Sequence, residues 1–389
     1  MNSIQRKFCF FLLGMIIISL SAALAVPSTC LQRINLSNGQ FKLLCTGVYA
    51  LDLRRQVFEG GGFLPYFNYA IEFFFMSFPI ELFVNTIDFL GGNNPYLTIY
   101  ATNILFGIFA VALLPIFYKL GISLKRVALF YVFTPLSIMY SLSFDYAQIL
   151  LLTLSYYYFK SGREKTSSIF FGLSAGFKAF PIVFLPLFLK HTTKRLRFAM
   201  ISIITFGTGI TLEYLASPIN FIRIFSFFSN YGVEGNWLGL VFPHSVINYG
   251  NFSTYFVQQA SPTLHLPHTL TLVSLVLVFT AIGGLSLVKS LTLEDDLLLG
   301  FSMIYIFLWI SAPQFGIDIL ALLPLVATVR LNWKTMIPFY GFVLFASNVW
   351  LFEFGFNAGV FTSLYIQAES QFFLALMLIL NYGFRRTRT

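Results

Sequence analysis

The chain has 389 residues, 57% of them hydrophobic and only 10% charged. Soluble globular chains carry roughly 25% charge, so this composition cannot clothe a water-facing surface; it excludes a soluble enzyme, a disordered tail, a coiled coil and a disulfide scaffold. The net charge of +9 does not point to nucleic acid, because the 24 Lys and Arg lie in short runs between apolar stretches. That pattern orients a chain in a membrane, and no basic domain large enough to hold a duplex is present.

The mean hydropathy is +0.79, and the 19% aromatic content is dominated by 49 Phe. Lipid-facing helices suit this better than porin strands, which alternate in polarity. At about 20 apolar residues per span, the length accommodates about ten crossings. The expected fold is therefore all-α, a polytopic membrane protein of one domain covering 1–389, with no linker or fixed repeat.

In chain order, Arg6-Lys7 precedes the apolar run Phe8 to Val26. This reads as an uncleaved signal anchor in preference to a cleaved signal sequence. A first outer loop, 27–96, follows. Within it, Glu72, Glu81, Asn85 and Asp88 interrupt Tyr69 to Leu90, which predicts a helix lying along the outer interface. Leu97 to Tyr118 then returns to Lys119, Lys125 and Arg126. Val127 to Leu142 goes out, and Tyr146 to Phe159 comes back to Lys160, Arg163 and Lys165. Ile201 to Leu215 leaves after Lys190, Lys194, Arg195 and Arg197, and leads into the large outer loop 216–268, whose Phe221 to Phe228 run predicts a second interfacial helix. Thr269 to Val288 returns to Lys289, and Leu297 to Ala312 exits. Gly316 to Val329, Met336 to Phe352 and Leu364 to Phe384 complete the alternation.

This topology puts roughly three quarters of the basic residues on the cytosolic side. Of the 15 acidic residues, it leaves only Glu164, Glu294, Asp295 and Asp296 there. Charge bias of that sign does not come from insertion, so a functional outer face is expected. Asn35-Leu-Ser and Asn251-Phe-Ser are outer sequons. Cys30 and Cys45 share the first outer loop, where a disulfide and two free thiols are both open.

Ser167 to Leu189 breaks the alternation, being long enough to span yet flanked by basic clusters on both sides. It contains Gly172-Leu-Ser-Ala-Gly176-Phe-Lys178-Ala-Phe-Pro181. Proline removes a backbone donor and breaks a helix, so a re-entrant pair of half-helices with Lys178 near the apex is expected. Irregular backbone at such depth is tolerated only against protein or a wet cavity. No strand precedes this segment and its spacing is not that of a Walker loop.

These residues resemble a known family. Phe171 to Pro186 is similar to the Gly-Leu-x-x-Gly-x-Lys-x-x-Pro segment of polytopic mannosyltransferases with the GT-C fold. Ser311-Ala-Pro-Gln314-Phe315, followed by Leu322-Leu-Pro324-Leu, resembles that family's Ser-x-Gln-Tyr…Leu-Pro-Leu segment. Asp52 with Gly60-Gly-Gly and Pro65-Tyr66 resembles its acidic first outer loop, and Asp145-Tyr-Ala-Gln148 its polar element after the third span. The similarity is greatest to the GPI mannosyltransferase I group and related prokaryotic transferases. The chain departs from that group in carrying one aspartate, Asp52, where the family has a pair. Phe315 and Gly316 stand at aromatic-hydroxyl positions, and Asp318 is an additional acid.

The resemblance implies inverting transfer of a sugar, mannose by preference, from a polyprenyl- or dolichyl-phosphate donor to a glycan or lipid acceptor on the outer face. A carboxylate deprotonates the acceptor hydroxyl and cations stabilise the departing phosphate. Asp52 is the first candidate for the base, against a plain loop pairing with Arg54 or Arg55; Glu59 and Asp145 compete. Asp145 also suits an acceptor hydroxyl or a divalent metal ion, the one cofactor left open.

Lys178 is the first candidate for the phosphate, since an ammonium at membrane depth is costly without a partner. A snorkelling lysine is the plainer alternative. Arg54, Arg55 and Arg223 come next. Gln148 and Gln314 are candidates for hydrogen bonds to substrate, and Trp237 and His244 for a sugar face. His244, His265 and His268 lack metal-ligand spacing. Membrane lipids are expected partners, nucleic acid is not, and a small membrane subunit fits the family. A transporter or lipid-sugar flippase is the alternative, although inverted-repeat symmetry with paired broken helices is absent from the sequence. A glycan polymerase would need more outer-loop arginine than Arg223 alone. The absence of a retention signal before Thr389 favours a prokaryotic plasma membrane over the endoplasmic reticulum.

Overall fold

The computed structural model describes residues 6–11, 13–14, 95–127, 145–177, 180–216, 268–288 and 291–307, with single positions between Pro79 and Gly91 and Leu376. The described residues are all-α, without a strand among them. They form two compact units. The first comprises Met1–Val127, Ile138–Pro181 and Arg197–Phe227; the second comprises Ala128–Ser137, Ile182–Leu196 and Phe228–Thr389.

In the first unit, α1 spans Pro95–Lys119, α2 Asp145–Lys160 and α3 Glu164–Phe177. Two glycines stop α1 and α2. Gly121 and Gly162 adopt φ of 71° and 73°, a left-handed conformation that a Cβ disfavours. Around Gly162, Arg163 N–H donates to Tyr158 O at 2.9 Å and Gly162 N–H to Phe159 O at 3.0 Å. This is the Schellman pattern, which satisfies the last carbonyls of a helix. The turn folds α3 back along α2.

The resulting hairpin is held by small polar side chains. Ser155 Oγ donates to Ser167 O at 3.0 Å, and Ser167 Oγ donates to Ser155 O at 2.8 Å. Nearer the open end, Ser174 Oγ donates to Gln148 O at 3.2 Å. α5, Arg195–Ala216, crosses α3 at Gly172. A Cβ there would lie 2.6 Å from Ser202 O and 2.7 Å from Thr205 Cβ. Ser202 Oγ, in turn, donates to Ser168 O at 3.2 Å. Small residues let helix backbones approach in this way where apolar burial supplies no net force.

The contacts also gather the basic runs at one end of this unit. The Phe8 and Tyr118 rings are 4.8 Å apart, Lys119 Nζ lies 5.7 Å from the Tyr157 ring centroid, and Phe159 meets Phe198 at 6.1 Å. The ends of α1 and α2 and the start of α5 therefore share a level with Arg6-Lys7. The opposite end carries Asp145, Gln148 and the terminus of α3.

A 3-10 turn, Phe180–Phe184, leads into α4, Leu185–His191, which belongs to the second unit. It packs with α6, His268–Leu287, and α7, Leu293–Phe307. Within Ser167 to Leu189, α3 is described to Phe177 and the 3-10 turn from Phe180, and Pro181 has no N–H to offer the carbonyl four residues back. α7 begins at Leu293 rather than at the expected Leu297. Thr292 explains the difference: its backbone N–H donates to Asp295 Oδ2 at 3.4 Å while Asp295 N–H donates to Thr292 Oγ1 at 3.3 Å, the reciprocal bonding of a capping box.

Among the described residues one helical window, Arg195–Leu212, is long and apolar enough to cross a membrane; Gly107–Lys119, Pro181–His191 and Val276–Leu287 are shorter apolar stretches. The predicted spans Gly316–Val329 and Met336–Phe352, all of Val127–Leu142 but Val127 and all of Leu364–Phe384 but Leu376 lie outside the described residues, as do Cys30, Cys45, most of loop 27–96 and the interior of loop 216–268.

Candidate functional site

Of the residues singled out from sequence, the described part contains Asp145 and Gln148. Asp145 is the first residue of α2. Gln148, one turn further on, is buried, and its Nε2 donates to Ser174 O at 3.4 Å. Ser174 belongs to the Gly172–Lys178 segment, so two motifs 26 residues apart meet at the open end of the α2–α3 hairpin. Ser174, Ala175, Gly176 and Phe177 are buried there. Asp52, Arg54, Arg55, Glu59, Lys178, Arg223, Trp237, His244 and Gln314 lie outside the described residues.

A second cluster was not expected. Asp296 is wholly buried in the first turn of α7. Lys190 Nζ, at the end of α4, lies 2.6 Å from its Oδ2, and His191 Nε2 lies 2.6 Å from the same oxygen. Lys190 also donates to Leu285 O in the last turn of α6, at 3.2 Å. An anion at a helix start and a cation at a helix end each complement the helix dipole. One ion pair therefore ties three helix termini together. The sequence signals were Thr292-x-x-Asp295 and three acids within one turn; nothing local marked Lys190 or His191 as their partners.

No group of three or more His, Cys, Asp or Glu that could hold a metal ion occurs among the described residues. Comparison with protein-family models, curated proteins and solved structures finds no match to this chain.

Proposed function

We propose that the chain is a polytopic membrane glycosyltransferase that moves a sugar, mannose by preference, from a polyprenyl phosphate to a glycan or lipid acceptor. The observation that carries this reading is the meeting of Asp145-x-x-Gln148 with Gly172–Lys178 across the Gln148–Ser174 bonds. These are two of the motifs that resemble the GT-C transferases, and a shared site requires their proximity.

Polarity in the first unit supports the membrane half of the proposal. Gln148, Thr153, Ser155, Ser167, Ser168, Ser174 and Ser202 are buried, while Met200, Ile203, Ile204 and Leu215 on α5 are exposed. A protein folded in water has the opposite arrangement. Serines that bond across helices and apolar side chains that face outward suit a lipid solvent.

In the proposed chemistry the Asp52 carboxylate takes the proton of the acceptor hydroxyl as its oxygen bonds to the anomeric carbon. The bond from that carbon to the lipid phosphate breaks, and the departing anion is neutralised by Lys178 with Arg54, Arg55 or Arg223. Membranes bearing Asp52→Asn or Lys178→Ala, supplied with polyprenyl-phosphate mannose, test the assignment. Loss of transfer in both, with normal insertion, is expected; retained turnover in both overturns it. Accumulation of substrate in sealed vesicles without a glycan product identifies a transporter instead.

A further inference from the structure

We propose that the basic end of the first unit is a docking surface for anionic phospholipid headgroups; the proposal rests on the membrane half of the reading above. Sequence alone shows separate short runs, whereas the fold brings them to one level. Lys7, Lys119, Lys125, Arg163, Lys165 and Arg197 are all exposed there. They come from four chain segments brought together by the Phe8–Tyr118, Lys119–Tyr157 and Phe159–Phe198 contacts. The acid described at this end is Glu164, in the first turn of α3.

Immediately inside this ring lies an aromatic layer. Tyr118 is partly exposed; Tyr158 stacks on Phe170 at 5.4 Å with 3° between planes, and Tyr157 meets Tyr158 edge-on at 5.3 Å. Tyrosine rings favour the headgroup boundary, with the ring in apolar surroundings and the hydroxyl wet. Below them the outward face of α5 is apolar, through Met200, Ile203 and Ile204. Cations, aromatics and aliphatics in that order match phosphate, glycerol and acyl chain in depth. Several Lys and Arg gathered at a membrane surface attract anionic lipid additively, and guanidinium binds phosphate through two parallel hydrogen bonds.

The test uses the full chain in vesicles of phosphatidylcholine with and without phosphatidylglycerol, followed by detergent extraction and mass spectrometry of the retained lipid. The expected result is enrichment of phosphatidylglycerol over its bulk fraction. The enrichment falls about fivefold for each residue neutralised in Lys125→Gln, Arg163→Gln and Lys165→Gln, and falls again as salt shortens the screening length. A chain that enters both vesicles and retains the two lipids in bulk proportion overturns this proposal alone. So does full enrichment in the triple variant. A chain that enters neither vesicle overturns the membrane reading and this proposal with it.

Discussion

Lys190 Nζ and Asp296 Oδ2 stand 2.6 Å apart, with side chains 8% and 0% exposed. The two residues are 106 positions apart, so the pair closes a long loop and fastens α4 to α7. Removing one member leaves the other charged and buried. Asp296→Ala is expected to cost about 3–5 kcal/mol, whereas Lys190→Met combined with Asp296→Leu recovers most of the loss. Thermal unfolding of the purified variants measures both. A double variant no better than Asp296→Ala contradicts this account.

Gly172 and Gly300 offer a matched pair of tests. A Cβ at Gly172 would press on backbone, Ser202 O at 2.6 Å, so Gly172→Ala must push α3 from α5, at about 1–3 kcal/mol. At Gly300 the nearest atoms are Leu187 Cδ1 at 3.1 Å and Phe184 Cε1 at 3.2 Å, side-chain tips that give more easily. Gly300→Ala is therefore the milder change, and the reverse order in unfolding midpoints refutes the packing argument.

Ser155 and Ser167 exchange hydroxyl-to-carbonyl bonds across the hairpin. Each single change to Ala is expected to cost about 0.5–1.5 kcal/mol. Their hydroxyls also lie 3.1 Å apart, so the two effects are coupled, and the double variant should lose less than the sum. Additive losses in a double-mutant cycle argue against a shared network.

Gly162 holds φ of 73° with nothing within 4 Å of where a Cβ would stand. The cost of Gly162→Ala is thus backbone conformation alone, about 1–2 kcal/mol. Gly162→Asn, which tolerates the left-handed region better, should fall between Ala and Gly. Equal stability of Gly162→Ala and the parent chain would show that the turn relaxes.

Much of the helical framework was legible in the sequence because its stops are local. Leu97 to Tyr118 was expected and Pro95–Lys119 is observed, since an apolar run ends at Lys119 and Gly121. Tyr146 to Phe159 became Asp145–Lys160 for the same reason. Gly172 stands in the segment that resembles the transferases, and the fold shows it also as the contact point of α3 with α5. Sequence cannot separate these roles, because both call for the absence of a Cβ. The Lys190–Asp296 pair was illegible for another reason: salt-bridge partners follow from three-dimensional packing, which no local periodicity encodes. Of the candidate site, only the approach of Gln148 to Ser174 is visible, and it follows from the hairpin that Gly162 closes.

The described arms of that hairpin are short. Sixteen residues in α2 and fourteen in α3 rise about 24 Å and 21 Å, against a hydrocarbon slab of about 30 Å. On the proposed membrane reading, a Gly162 turn held at one headgroup layer leaves Asp145 and Ser174 well below the other. A bilayer answers such a mismatch by thinning locally or by admitting water. On the proposed function, a polyprenyl phosphate would meet the protein in that dimple, its headgroup drawn down to the polar tip of the hairpin while its tail stays in oil.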